Sequence, residues 1–491
     1  MFSNQSKWLW LAIGTALIAA AHLRWGIGPL AWVAPVPFLW VLRRSGGWGA
    51  RLAVIAALFA GFSLAMLKIT TAPLNPAFAL LFALPIAVLQ GGAYLLWDRI
   101  RRSTNEVVAV LSFPALAVSA EYAQHRFTPF ASWGAAAYTQ LELLPLLQLA
   151  SLLGMAGVSF VVYFFAAALE SLFSRGRRAA PLFVAACTAV CAALTFGTLR
   201  LELARPGETM RVAAVGTDGT FNGWPVPADD ERARIDDGLF ARTHAAARAG
   251  AKLVAWTEAA TIVLPDEERA FLDRLGATAR RDAIELVAGY IVPLPGDSSF
   301  ENKYAWLRPD GTLDHTYLKH EPVPGEPAIR GQSAPKAVDT ALGVATGALC
   351  YDYDFPALAL EHARLGLDLA VVPSSDWRGI DPIHTQMASL RAIEGGFSLL
   401  RSTRFGLSAG FDPYGRARAW ESAFDTRARV LLASLPTRRV ATVYSRVGDA
   451  FALLCALFAS CALLAGVRSG QRTRAPGGAA PARPATARQP G

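Results

Sequence analysis

Charge and cysteine are both scarce in this chain. Only 17% of its 491 residues are Asp, Glu, Lys or Arg, 53% are apolar, and the mean hydropathy is +0.32. That balance excludes an ordinary water-soluble protein over the full length and directs attention to bilayer spans. Of five cysteines, Cys187, Cys191, Cys455 and Cys461 lie inside apolar runs and Cys350 stands alone. This spacing excludes a disulfide framework and a clustered thiolate metal site. Histidine is equally thin, with seven residues. His320 and His384 fall near the motifs described below, neither with a second ligand at suitable spacing, so no metal and no cofactor is expected. The net charge of +9 comes from bases in short loops between apolar runs and in the tail, a membrane pattern rather than a nucleic-acid surface.

Apolar segments of near-spanning length lie at 8–23, 27–42, 50–67, 77–97, 106–120, 148–172 and 179–198, with one more at 447–467. The reading is therefore an N-terminal membrane domain of about seven helices over 1–200 and a C-terminal transmembrane helix. The segments at 27–42 and 106–120 are short and carry Pro35, Pro37 and Pro114. Arg43, Arg44, Arg51, Arg99, Arg101, Arg102, Arg175, Arg177 and Arg178 fall in alternate loops, whereas the other loops carry Arg24, Lys68 and Arg126. Basic loops stay cytoplasmic, so residues 208–446 are expected on the opposite side. The tail, 468–491, is rich in Ala, Pro, Gly and Arg and reads as disordered and cytoplasmic.

Between the last two spans the pattern changes. β-type runs such as "MRVAAVG", "AKLVAWTE", "LGVATGALC" and "LDLAVVPSSD" alternate with charged, helix-compatible stretches such as "DEERAFLDRLGATARRDA". This is the signature of an α/β domain with a buried sheet.

Three residues close β-type runs there: Glu258 in "VAWTEAA", Lys319 in "DHTYLKHEPVPGEP" and Cys350 in "GALCYDYDFP". Taken singly, Glu258 reads as a helix cap, Lys319 as a solvated loop residue and Cys350 as a packed thiol. Taken together they supply a base, a cation and a nucleophile at strand ends, where α/β folds assemble sites.

The order Glu, Lys, Cys, with gaps of about sixty and about thirty residues, resembles the nitrilase, or carbon–nitrogen hydrolase, superfamily. The flanking spans, with "QLASLLGMAGVSF", "YLKHEPVPGE", "CYD", "RAIEGGFSLLRSTRFGLS" and "DPYGR" in sequence, resemble the apolipoprotein N-acyltransferase family within it. The chain departs from that family in reading Trp256-Thr257-Glu258 for Trp-Pro-Glu, Cys350-Tyr351-Asp352 for Cys-Tyr-Glu, and altered loops at "HEPVPGE" and "SSDWRGI".

The resemblance implies a multi-span α-helical membrane domain joined to an αββα sandwich. It implies Glu258, Lys319 and Cys350 as the catalytic triad, with the oxyanion held by Lys319 and the Tyr351 backbone N–H. Trp256, Glu326, Tyr351 and Asp352 are the implied substrate-binding or supporting residues. Read on their own, Trp256 and Tyr351 also fit core positions and Glu326 fits a turn. A Lys319 cation beside Cys350 is expected to offset the acidic neighbours of the thiol. The implied partners are a phospholipid acyl donor, a diacylated lipoprotein acceptor and the bilayer of a bacterial inner membrane, with the catalytic domain periplasmic and the chain a monomer. A membrane-anchored amidase, or an acyltransferase for a different amine, is the alternative.

Overall fold

The computed structural model describes residues 4–204, 207–220, 225–296, 298–341, 343–425 and 429–472. Apolar helices Asn4–Ala21, Trp48–Leu67, Phe78–Ile100, Glu106–Phe127, Ala150–Arg175 and Ala180–Glu202 form a bundle. Ala450–Arg472 packs back onto it. Among the described residues, Trp48–Leu67, Phe78–Ile100, Glu106–Phe127 and the helical stretch Ala150–Glu202 are long and apolar enough to cross a membrane; the apolar helices Ser6–Ala21 and Ala450–Gly466 are shorter. Leu52, Leu80, Leu84, Val88 and Leu457 point outward and are exposed, a surface suited to lipid rather than water.

Local chemistry sets these helices. Asn105 caps Glu106–Phe127 by accepting from Val108 N at 3.0 Å, and Glu106 sits in the first turn, where an acid is favoured. The helix runs through Pro114 unbroken. The segment at 27–42, by contrast, is not one helix. It is a 3-10 turn, Gly28–Trp32, followed by the nine-residue helix Val36–Arg44, because Pro35 and Pro37 withhold the amide donors that a continuous helix needs. Ala150–Arg175 breaks at Gly154, whose φ is 66°. A Cβ there would meet the Tyr444 ring at 2.4 Å, so only glycine fits.

The bundle has two distinct ends. At one, the arginine loops close on three acids: Arg43 on Glu106 and Glu170, Arg51, Arg101 and Arg102 on Asp98, and Arg175 on Glu106. At the other sits the α/β domain.

Among the described residues that domain holds twelve strands: β1 (Thr209–Val215), β2 (Leu253–Trp256), β3 (Glu285–Pro293), β4 (Phe300–Leu307), β5 (Leu313–Leu318), β6 (Val338–Thr340), β7 (Gly343–Gly347), β8 (Leu369–Ser375), β9 (Ser398–Arg404), β10 (Leu407–Phe411), β11 (Ala417–Ser422) and β12 (Val430–Pro436). One sheet runs β12-β1-β2-β3-β4-β5 and the other β11-β10-β9-β8-β7-β6. In each the three central strands are parallel, β1-β2-β3 and β7-β8-β9. Alternate side chains explain why these strands read as continuous apolar runs. Val212, Ala214 and Ala255 face the other sheet. Ala213, Val215 and Trp256 face the helices Asp229–Arg248 and Glu268–Asp282. Both faces are covered.

On the second sheet the covering helix Ile383–Gly395 is itself covered. Ala388 and Ala392 pack on the sheet, while Met387, Leu390 and Ile393 join the core of the membrane bundle. Glu394 Oε1 accepts from Met155 N at 2.7 Å, just past the Gly154 break. The run "FSLLRSTRFGLSAGF" is two strands rather than one, turning at Phe405 (φ 54°) and Gly406. The final helix continues to Arg472, and the remainder of the expected disordered tail lies outside the described residues.

Candidate active site

Glu258, Lys319 and Cys350 follow the carboxyl ends of β2, β5 and β7, and all three are buried. Lys319 Nζ donates to Glu258 Oε1 at 2.8 Å and to Glu326 Oε2 at 2.8 Å. Asn302, on β4, donates from Nδ2 to both acids, at 2.8 Å to Glu258 and 2.9 Å to Glu326. Glu326 is thus a partner of the triad rather than a plain turn residue. Gly289 makes room for this arrangement: a Cβ there would lie 2.2 Å from Thr257 O.

Burial by itself would lower the Lys319 ammonium, but Glu258 and Glu326 hold it well above the usual lysine range. Glu326 responds in the opposite sense, since burial raises it and Lys319 outweighs that, leaving it depressed. Among the described residues, two of the three ammonium protons are engaged by hydrogen bonds.

Cys350 adopts φ 45°, a left-handed conformation that costs about 1–3 kcal/mol in a non-glycine residue and persists only where the surroundings enforce it. Asp352 does the enforcing. Its Oδ2 accepts from Leu349 N at 2.9 Å and Tyr317 Oη at 2.9 Å, and its Oδ1 from Glu321 N at 2.7 Å. It ties the nucleophile turn to β5 and to the loop carrying Glu326. The thiol donates to Ser375 O at 3.5 Å.

The expectation that Lys319 offsets the acidic surroundings of the thiol is corrected. Burial pushes Cys350 well above the usual thiol range, Glu258 adds to it, and Arg401 and then Lys319 only partly oppose. The resting residue is a thiol.

Two of the expected substrate contacts part company. Tyr351 lines an apolar pocket beside Cys350, with its hydroxyl donating to Pro129 O of the membrane part at 2.9 Å. Trp256 lines neither of the pockets at the site. It is core, its indole N–H donating to Thr243 Oγ1 at 2.8 Å.

Two openings meet at the triad. The apolar pocket is lined by Met66, Ile69, Phe82, Ile86 and Phe130 of the membrane part together with Cys350 and Trp377. A wider cleft on the other side holds Glu258, Lys319, Asn302 and Glu326. Val323, Pro324, Ser375 and Trp377 wall both.

Sequence reading missed a second cluster around the thiol. Cys350, Asp376 and His384 bring Sγ, a carboxylate oxygen and an imidazole nitrogen within 4.8 Å of one another, formally a metal-ligand set. A guanidinium already occupies it. Arg401 Nη2 lies 2.8 Å from His384 Nδ1, 3.2 Å from Asp376 Oδ1 and 3.9 Å from Cys350 Sγ. A cation fixed among the three donors opposes a divalent ion there. A usable signal existed: Arg401 sits in a run otherwise suited to a buried strand, where an unpaired charge is prohibitive.

Known families match both halves. The model of the apolipoprotein N-acyltransferase N-terminal domain matches residues 14–168, and that of carbon-nitrogen hydrolase matches residues 211–430. The chain is 30% identical to the apolipoprotein N-acyltransferase of Azotobacter vinelandii over 72% of this chain and 72% of that one. It is 26% identical to that of Geobacter metallireducens over 91% and 93%. An amidase from Nesterenkonia sp. is similar to 50% of this chain and 96% of its own, at 21% identity and a TM-score of 0.39. With its membrane bundle, its carbon–nitrogen hydrolase domain and these relatives, the chain belongs to the apolipoprotein N-acyltransferase family.

Proposed function

We propose that this protein transfers an acyl chain from a phospholipid to the α-amine of a diacylglyceryl-cysteine at the N-terminus of a bacterial lipoprotein, through a thioester on Cys350. The observation that carries this reading is the position of Cys350, at the meeting of an apolar pocket built on membrane helices and the cleft that holds Glu258 and Lys319. A lipid chain enters such a pocket laterally, each buried CH₂ contributing roughly 0.8 kcal/mol.

In the first step Glu258 takes the thiol proton and Cys350 Sγ bonds to the sn-1 ester carbonyl. The tetrahedral oxyanion rests on a Lys319 N–H and the Tyr351 N–H. The ester C–O bond then breaks and the lysophospholipid leaves as an alcohol with the proton from Glu258. In the second step the acceptor amine forms the amide bond, the C–S bond breaks, and the proton lost by nitrogen returns through Glu258 to sulfur.

The domain scheme follows the arginine loops. We place 1–200 and 447–467 in the inner membrane, 208–446 on the periplasmic side and 468–491 in the cytoplasm. Convergence of Arg43, Arg51, Arg101, Arg102 and Arg175 at the bundle end away from the α/β domain supports this. A monomer suffices, since one chain lines both openings. Incubating the purified protein with a phospholipid of defined chains and weighing it intact tests the reading. An acyl adduct in the wild type that is absent in Cys350→Ala supports it. No adduct, with hydrolysis of simple amides, transfers the assignment to an amidase.

A further inference from the structure

Two of the five residues from Cys350 to Asp354 are hydrogen-bonded to the membrane segment that follows Glu106–Phe127. Tyr351 Oη reaches Pro129 O at 2.9 Å. Asp354 O accepts from Ser132 Oγ at 2.6 Å and from Ser132 N at 3.2 Å. Asp354 Oδ2 accepts the Trp133 indole N–H at 2.7 Å. The same carboxylate meets His384 Nε2 at 3.0 Å, and His384 Nδ1 lies 2.7 Å from Asp376 Oδ1.

Each ring nitrogen of His384 thus has a carboxylate oxygen within 3.0 Å, an arrangement that favours a proton on both. Burial and Arg401 oppose that charge, yet the two acids raise it above the usual histidine range. In that state Nδ1 has no lone pair to accept from Arg401 Nη2, 2.8 Å away. The Arg401 Nη2 protons are thereby directed to Asp376 Oδ1 and to Cys350 Sγ.

We propose that Arg401 is the donor that receives the Cys350 thiolate, and that the membrane residue Trp133 sets its position through Asp354 and His384. The proposal rests on Cys350 as the nucleophile. When the thiol proton passes to Glu258, the electron pair stays on sulfur and accepts an N–H from Arg401, which keeps its own charge. Arg401 touches the reacting atom. Trp133, Asp354 and His384 act through it as positioning residues. A site built this way is complete only while the α/β domain is seated on the bundle, so chemistry is confined to the membrane surface.

The test is the rate of Cys350 alkylation by iodoacetamide against pH, in the full-length protein in detergent, with the other four cysteines replaced by alanine. The groups facing the thiol are Glu258, Lys319, Asp376, His384, Arg401 and Arg404. All remain in place except the one varied. An adjacent cation moves such a profile by roughly one unit or more. Arg401→Met should therefore slow alkylation about 10-fold at fixed pH and shift the profile to the alkaline side. Arg401→Lys should recover part of this, and Trp133→Phe, which keeps the ring and removes the N–H, should shift it in the same direction by less. An Arg401→Met profile that coincides with wild type overturns the proposal. If that variant does not fold, coincident profiles for Arg401→Lys and Trp133→Phe overturn it equally. Alkylation needs no acyl donor, so these outcomes stand apart from the acyl-adduct test.

Discussion

Lys319 Nζ stands as far from Glu326 Oε2 as from Glu258 Oε1, 2.8 Å in each case. One ammonium serves two carboxylates, the buried Glu258 and the half-buried Glu326. In Glu326→Gln the pair with Lys319 becomes one-to-one, which binds the Glu258 charge more tightly and makes it a poorer base. Acylation of Cys350 should slow about 10-fold or more, read as adduct formation against time. An unchanged rate would show that Glu326 only shapes its loop.

Replacing the two triad residues separates their labour. Glu258→Gln cannot take the thiol proton from a site where burial keeps the thiol protonated, so neither adduct nor product should form. Lys319→Met removes a donor used by both tetrahedral intermediates, with a loss of about 10²–10³ in rate. It also leaves the buried Glu258 and the half-buried Glu326 without their cation, so the melting temperature should fall as well. Thioester that accumulates in Lys319→Met would contradict a shared role in the two steps.

The cysteines give a simpler contrast. Cys350→Ser should abolish turnover, because a hydroxyl in the same buried turn is a far weaker acid than the thiol. Cys187, Cys191, Cys455 and Cys461 lie on the helices Ala180–Glu202 and Ala450–Arg472, distant in the fold from the triad. Their alanine variants should retain activity, measured as acyl transfer to a diacylated peptide.

The α/β architecture and the strand-end placement of Glu258, Lys319 and Cys350 were legible because they depend on local signals: apolar runs of strand length, and chemistry-bearing residues at their ends. Glu326 was legible only through resemblance, since nothing local distinguishes "PVPGE" from a solvated turn. The Arg401, Asp376 and His384 cluster was not read at all. Its members come from β9, the end of β8 and the helix after it, and only tertiary packing turns three isolated polar residues into one network. Trp256 failed for the converse reason. Its position near Glu258 suggested a pocket, but Trp256 is the last residue of β2 and turns to the helix side of the sheet, whereas Glu258 lies beyond the strand, where the chain has left the alternation. The altered loops meet the same network, one carrying Glu326 onto Lys319 and the other carrying Asp376 onto Arg401.

Asp352 ties stability to pH. Complete burial raises it from the model-peptide range to about 7, against the hydrogen bond from Leu349 N and the charge of Lys319, which favour the carboxylate. A folded value above the unfolded one means that its contribution is fully present below the unfolded value, about 3.9, and is lost as pH rises through about 7. Asp352→Asn has no such proton to lose. The difference in melting temperature between wild type and Asp352→Asn should therefore narrow from acidic to mildly alkaline buffer, and a difference that widens instead would place the native Asp352 below its unfolded value.

The last prediction concerns which way the bundle faces. Arg43 reaches Glu106 and Glu170 at the end where the basic loops gather. Trp32, on the preceding 3-10 turn, bonds Gln140 Oε1 at 3.0 Å in the segment that meets the α/β domain. The broken segment therefore runs from one end of the bundle to the other despite its prolines, and the alternation of sides survives the break. Alkaline phosphatase fused after Leu203, at the domain end, should be active, as that enzyme folds only outside the cytoplasm. Green fluorescent protein fused at the C-terminus, beyond the final helix, should fluoresce in the cytoplasm. Both reporters on one side would mean that Gly28–Arg44 does not cross, or that Ala450–Arg472 lies on the membrane, and either result would overturn the arginine-based orientation.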